Sequence, residues 1–169
     1  MDAGRVVGDN ESVKPRITAA AGLIVAVAAL AFFSLVLGPT GQASNVAHTC
    51  YPVDKQFIVS AQLNMAMLGQ TSEDYLRGEA KPGDVIEQAD SALRALKNTR
   101  PADPSLTRAK LVLRAMFLEY RNAIQANAHH NSPGKHIYRA YGLANFAHDL
   151  LVHEQKPLMQ RGCDVSPLL

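Results

Sequence analysis

An uncharged apolar run from Ile17 to Leu37 constrains the fold of this chain more than any other feature. The run contains no proline, and its length is close to the ~20 residues with which a helix crosses a hydrocarbon core of ~30 Å. Arg5, Lys14 and Arg16 precede it, and no Lys or Arg follows it until Lys55. Because cytoplasmic flanks carry the excess of positive charge, we expect a cytoplasmic N-terminus and an extracytoplasmic main domain.

This run divides the chain into four parts. We expect a short cytoplasmic tail over 1–16, a transmembrane anchor over 17–37, a linker over 38–51 and an extracytoplasmic helical domain with a C-terminal tail over 52–169. The alternative is a cleaved signal peptide, because Gly41-Gln42-Ala43 resembles a small-x-small cleavage site. The apolar region of a signal peptide spans only ~7–15 residues, which favours a retained anchor. We predict a single-pass protein of the plasma membrane, or a secreted one if cleavage near Ala43 removes the anchor.

Apolar residues recur at helical spacing in four segments after the linker, and no segment shows the alternation typical of a strand. The first helix is predicted from Pro52 to about Arg77. The second is predicted to begin at Asp84 as its N-cap. The predicted core stripes are Phe57, Ala61, Met65, Leu68, Ser72 and Tyr75 on the first helix, and Val85, Ala89, Ala92, Leu93 and Leu96 on the second.

The third helix is predicted to begin at Asp103-Pro104, a cap followed by a first-turn proline, and to end near His129. The fourth is predicted from about Lys135 to Gln155, with Pro157 ending it. Their predicted core stripes are Leu106, Ala109, Leu113, Met116, Phe117, Tyr120 and Ile124 on the third helix, and Ile137, Tyr141, Leu143, Ala144, Ala147, His148, Leu150 and Leu151 on the fourth.

Four helices joined by short loops predict an all-α fold, an up-down-up-down four-helix bundle. This topology brings Cys50 and Cys163 to the same pole, one before the first helix and one after the last. Cysteines in an oxidising compartment favour a disulfide. We therefore predict a Cys50–Cys163 bridge, which closes a loop on the order of 100 residues and contributes roughly 4–5 kcal/mol in the chain-entropy model.

Two helices carry more apolar surface than a bundle core requires. On the third helix, Leu111 and Leu118 lie one heptad apart, away from the core stripe, with Ala115 between them and Arg114 and Arg121 beside them. A bundle helix needs only one broad apolar stripe, although single exposed leucines are common. We expect these five residues to form an interface with a partner. The first helix has a second apolar face of its own, made by Val59, Leu63, Ala66 and Met67.

The polar residues show no clear pattern of a metal, haem or catalytic site. His129, His130 and His136 flank the last loop and are the candidates for a metal site, but no dedicated ligand spacing accompanies them. The sequence has no C-x-x-C-H for covalent haem and no Glu-x-x-His for a di-iron site. It also lacks a recognisable nucleophile, base and acid set. We expect no cofactor and no enzymatic activity.

Together these features predict a non-enzymatic, membrane-anchored extracytoplasmic helical protein. We expect an accessory or structural subunit that docks onto a larger membrane or envelope complex. Its partners would be the membrane, through Ile17 to Leu37, and another protein. A formal net charge of +2 over 169 residues gives no sign of a nucleic-acid partner. The alternative is a small-ligand or metal-binding helical-bundle module of the cell envelope.

Overall fold

Four α-helices and a short 3-10 helix make up the part of the chain that the computed structural model describes, residues 50–169. The helices are α1 (Pro52–Leu76), α2 (Pro82–Asn98), α3 (Pro104–Ala128) and α4 (Gly134–Gln160), and the 3-10 helix spans Ser166–Leu168. No strand occurs in these residues. The prediction of an all-α, four-helix domain is confirmed.

The predicted cytoplasmic tail (1–16), the predicted anchor (17–37) and all but the last two residues of the predicted linker (38–51) lie outside the described residues. Between residues 50 and 169, no helix combines the length and the apolar character needed to cross a membrane.

Prolines and capping carboxylates set where α2 and α3 begin. Asp103 caps α3 as predicted, because its carboxylate accepts hydrogen bonds from the backbone N–H groups of Ser105 at 2.8 Å and Leu106 at 3.3 Å. The prediction that Asp84 is the N-cap of the second helix is wrong. That helix begins at Pro82, whose fixed φ suits the first turn. Asp84 therefore lies inside the first turn, where its carboxylate accepts the backbone N–H of Lys81 at 2.7 Å.

The prediction that Pro157 ends the fourth helix is also wrong, because α4 continues to Gln160 with Pro157 inside it. Leu158 is fully buried, which favours a helical path through the proline. After the C-cap Arg161, Gly162 has a left-handed φ of 78° and stops the helix. Gly162 donates to the carbonyl of Met159 and Cys163 donates to that of Leu158, both at 2.9 Å. This pattern is a Schellman cap.

Cross-helix hydrogen bonds show the directions of α1 and α3. The Tyr120 hydroxyl donates to Ser72 Oγ at 2.7 Å, and Asn127 Nδ2 donates to the Tyr75 hydroxyl at 2.8 Å. Residue numbers rise together along both helices in these pairs, so α1 and α3 run parallel. Since α2 connects them through short loops, it runs the other way.

The core follows the predicted stripes on α1, α2 and α3. On α4 the prediction is wrong for Tyr141 and His148, which are only partly buried and do not belong to the core. Every predicted core residue of α3 is buried, and Phe57, Val85 and Leu96 are fully enclosed. Each helix packs mainly on its neighbour in sequence, and α1 also contacts the 3-10 helix. Two apolar residues of the C-terminal tail, Val165 and Leu168, join the core although no helical stripe marks them.

The predicted disulfide is present, with the Cα atoms of Cys50 and Cys163 4.8 Å apart. Both cysteines are buried, at 4% and 3% exposure. The bridge joins the start of α1 to the tail that follows α4, so it closes a loop with a sequence separation of 113 residues. The two ends of the domain are therefore held at one pole.

Candidate functional site

A groove of about 440 Å³ lies on the surface between α2 and α3. We call it the α2–α3 groove; its lining residues are Asp90, Leu93, Arg94, Lys97, Leu111, Arg114, Ala115 and Leu118. Four of the five residues predicted as a partner interface thus line one concave surface. The fifth, Arg121, lies beside it and pairs with Asp90, with Nε and Oδ1 2.7 Å apart.

The apolar part of the groove comes from the side of α3 that faces away from the core. Leu111 is 58% exposed and Leu118 is 46% exposed. A spacing of seven residues places them about 10 Å apart along the helix, with Ala115 between them. Leu93, on α2, is half-buried and packs against the core from the opposite wall. The small Ala115 side chain leaves room between the leucines, so a bulky apolar group can be seated there.

The rim of the groove is basic. Arg94 and Lys97, one turn apart on α2, are exposed, and neither has an ion-pair partner within residues 50–169. Arg114 faces them from α3, and its buried Nε makes no hydrogen bond. The one carboxylate that lines the groove, Asp90, is neutralised by Arg121. The groove therefore carries uncompensated positive charge beside apolar surface.

Lys110 adds to this positive charge on the α3 side of the α2–α3 contact. Its ammonium group donates a hydrogen bond to the backbone carbonyl of Thr99, in the loop between α2 and α3. Burial lowers the pKa of Lys110, and the nearby charges of Arg114 and Arg100 lower it further. Burial is the larger cause of this shift, and repulsion from the two arginines adds to it.

The second apolar surface lies on the outer face of α1. Val59 is 61% exposed, Leu63 57% and Met67 47%, so one apolar row follows the helix at a spacing of four residues. The sequence of α1 carries no charge from Gln56 to Gln70. This α1 outer face, defined by Val59, Leu63, Ala66 and Met67, is therefore apolar and uncharged.

Two of the three candidate metal-binding histidines form the end of α3. His129 is the C-cap, and its backbone N–H bonds to carbonyls of the last turn. His130 has a left-handed φ of 58°, a conformation usually taken by glycine. The backbone N–H of Asn131 then donates to the carbonyl of Ala126 at 2.9 Å, which completes the cap. Both histidine side chains are exposed.

The third candidate, His136, has a different partner. Its Nδ1 lies 2.6 Å from Glu119 Oε2, and Arg139 approaches the other oxygen of Glu119 at 3.5 Å. These contacts join α4 to α3. The structure does not gather the three histidines into one ligand set: within residues 50–169, the one group of three close metal-binding side chains is Cys50, Asp54 and Cys163.

Cys50, Asp54 and Cys163 stabilise the fold and do not form a metal site. The two sulfur atoms are bonded to each other, so they offer no thiolate. Asp54 is 1% exposed, and its Oδ1 accepts the backbone N–H groups of Ala102 at 2.6 Å and Asp103 at 3.1 Å. The carboxylate thus ties α1 to the loop that precedes α3. Sequence reasoning missed Asp54, because an acidic residue in a first helical turn is common and no local signal separates this one.

Comparison of the chain with known protein families, with curated proteins and with solved structures finds no match. Functional inference for this chain therefore rests on its own sequence and geometry. One geometric feature within residues 50–169 combines apolar and charged groups: the α2–α3 groove, a concave apolar surface with a basic rim. Such a surface can bind another macromolecule by apolar contact and by charge, since both are offered together.

Proposed function

We propose that this protein is a non-enzymatic accessory subunit of a larger membrane or envelope complex. Ile17 to Leu37 would anchor it as a single-pass protein, with the N-terminus in the cytoplasm and the helical domain outside. The α2–α3 groove would dock onto another protein of the complex.

One observation carries this proposal. Leu111 and Leu118 lie at heptad spacing, are about half exposed, and line a single groove together. Because each leucine is already about half buried, full burial by a partner adds about half of the ~1.5–3 kcal/mol that a fully exposed leucine would gain. An apolar position that recurs after seven residues is one element of the seam along which helices pack on one another. The groove therefore supports docking better than it supports catalysis.

The alternative, a small-ligand or metal-binding module, has less support. The volume of about 440 Å³ falls within the usual range of ligand sites, ~300–1,000 Å³. Such sites, however, bury most of the ligand, whereas Leu111 stays 58% exposed on the rim of an open groove. The candidate metal-binding histidines lie elsewhere, and Glu119 engages His136.

Photo-crosslinking in native membranes tests the docking proposal. A photoreactive residue placed at Leu111 or Leu118 should crosslink to one defined protein. Leu63 on the α1 outer face is the matched control, because its exposure of 57% equals that of Leu111 within one per cent. Changing Leu111 and Leu118 to Ser should abolish the association while the domain stays folded. Crosslinking that is the same at Leu63 and Leu111, or that survives the double change, would contradict the proposal.

The anchor is tested separately by N-terminal sequencing of the mature protein. A retained anchor predicts a sequence that still contains Ile17 to Leu37. A mature protein beginning near Ser44 would show a cleaved signal peptide and a secreted domain. Accessibility of an introduced C-terminal tag from outside the cell checks the predicted orientation.

A further inference from the structure

We infer that the occupant of the α2–α3 groove is an amphipathic helix of the partner protein, with acidic residues flanking its apolar stripe. This inference rests on the proposed docking function and specifies the chemistry of the docked segment. Three features of the groove carry it: its shape, its charge and the guanidinium of Arg114 on one wall.

The shape favours a helix. Two adjacent helices form the walls, and the leucines of α3 recur at spacings of seven residues with Ala115 between them. A third helix that lies along this groove would present apolar residues at the same spacing, two turns apart. The small Ala115 side chain leaves space for an apolar knob from the docked helix. Extended peptides are less suited, because no strand edge is available in residues 50–169.

The charge favours an acidic flank. Arg94, Lys97 and Arg114 surround the apolar floor, and no carboxylate within residues 50–169 forms an ion pair with them. Asp90 is already occupied by Arg121 at 2.7 Å. Complementary charge across an interface steers association and excludes partners of the wrong sign. A basic helix would therefore be rejected.

The third feature is the guanidinium of Arg114. Arg114 lines the groove and forms no ion pair within residues 50–169. A carboxylate is the acceptor that matches a guanidinium best. An Asp or Glu on the docked helix can pair with this guanidinium while the apolar stripe of that helix covers Leu111 and Leu118.

Two other occupants fit these features less well. A bilayer surface with anionic headgroups can neutralise Arg94 and Lys97, but its headgroups present no apolar row that matches Leu111 and Leu118. The groove of a second copy carries the same positive charge, so two grooves repel each other. The α1 outer face of a second copy is uncharged and offers no carboxylate to Arg114.

A pair of designed peptides tests the inference. Both peptides are amphipathic helices of about 20 residues with the same leucine heptads, one with glutamate flanks and one with lysine flanks. The full chain is reconstituted in nanodiscs of uncharged lipid, and binding is followed by fluorescence anisotropy. We expect the glutamate peptide to bind, the lysine peptide not to bind, and the affinity to fall as salt concentration rises.

Charge reversal then locates the binding site. The variant Arg94→Glu/Lys97→Glu should lower the affinity for the glutamate peptide by roughly 10-fold or more and should begin to bind the lysine peptide. The matched control is Lys55→Glu/Lys156→Glu, which changes the net charge equally at two exposed sites outside the groove. Its affinity should stay within about 2-fold of the native value. Equal loss in both variants would mean that only net charge matters, and would overturn the inference.

The remaining outcomes separate this inference from the proposed function. Equal binding of both peptides, or binding of vesicles with anionic headgroups that depends on Arg94 and Lys97, would overturn the acidic-helix inference. If the crosslink from Leu111 to a protein persists in that case, the docking proposal stands. Mass spectrometry of that crosslink should place it on a helical segment rich in Asp and Glu. A basic segment, or a second copy of this chain, would overturn the inference.

Discussion

The α1 outer face and the α2–α3 groove expose leucine to nearly the same extent, yet they are different surfaces. Leu63 on the first is 57% exposed and Leu111 on the second is 58% exposed. The first is a convex row of uncharged side chains on a single helix. The second is shared by two helices, and Arg94, Lys97 and Arg114 surround it. Exposure of a leucine therefore does not by itself identify a docking site; the neighbouring helix decides what surrounds that leucine.

The two surfaces also differ in how their helices are held. The helices α2 and α3 are consecutive, and the Asp90–Arg121 ion pair joins them beside the groove. On α1, packing on α2 is supplemented by specific contacts with the rest of the domain. Those contacts are the disulfide, the Asp54 carboxylate and the Ser72–Tyr120 and Tyr75–Asn127 hydrogen bonds.

The largest expected effect comes from the disulfide. Replacing Cys50 and Cys163 with Ser should lower the free energy of unfolding by about 4–5 kcal/mol, because the bridge closes a long loop in the unfolded chain. Denaturant unfolding of the variant and of the oxidised native protein measures this loss, and the reduced native protein should match the variant. Backbone amide hydrogen exchange in the variant should accelerate more in α1, which follows Cys50, than in α3. An equal acceleration in both helices would show that the bridge does not hold α1 in particular.

The next effect concerns Asp54, the buried tie between α1 and the loop before α3. Changing Asp54 to Ala should cost about 2–3 kcal/mol, because two backbone N–H groups lose a charged acceptor. Asp54→Asn keeps one acceptor oxygen and should cost less. Asp149→Ala, at an exposed site on α4, is the control and should change stability by less than about 0.5 kcal/mol. A loss at Asp54 no larger than that at Asp149 would argue against this tie.

A smaller effect is expected at Tyr120. Tyr120→Phe should cost about 1 kcal/mol, since its hydroxyl donates to Ser72 Oγ. Burial raises the pKa of Tyr120, and the hydrogen bond to Ser72 opposes this in part. The folded protein therefore keeps the hydroxyl proton at a pH where the unfolded chain has lost it. Stability of the native protein should fall as pH rises above about 10.

Unfolding of the native protein and of Tyr120→Phe at increasing alkaline pH measures this linkage. The variant should lose less stability over that range, because it lacks the titrating hydroxyl. Tyr138→Phe, at a site that is 76% exposed, should follow the native protein. If the free energy of unfolding fell with pH equally in the native protein and in Tyr120→Phe, Tyr120 would not contribute to the alkaline loss of stability.

The smallest stability effects are expected at the two apolar surfaces themselves. Leu111→Ser/Leu118→Ser and Val59→Ser/Leu63→Ser should each change the free energy of unfolding by less than about 0.5 kcal/mol, because all four side chains are at least 46% exposed. Thermal unfolding of both variants checks this. Only the first variant should also lose the partner crosslink. Unfolding of that variant would mean that its leucines support the core.

Much of the fold could be predicted from the sequence, because its determinants are local. The stripe from Leu106 to Ile124 repeats at the helical period, and all of its residues are buried. Asp103 followed by Pro104 marks a helix start through the chemistry of those two residues alone. The pairing of Cys50 with Cys163 followed once the number of helices was known, since an even number returns the chain to its starting pole.

The sequence by itself also placed Leu111 and Leu118 away from the core, since the helical period decides which side of α3 they occupy. Only the tertiary structure decided that Arg94 and Lys97 on α2 lie across from them, because packing sets which helix forms the second wall. Packing also carried α4 through Pro157, where the burial of Leu158 and the Gly162 cap outweighed a local signal to stop. Asp54 acquired its role in the same way, because the N–H groups it accepts are distant in sequence and meet it only in the folded domain.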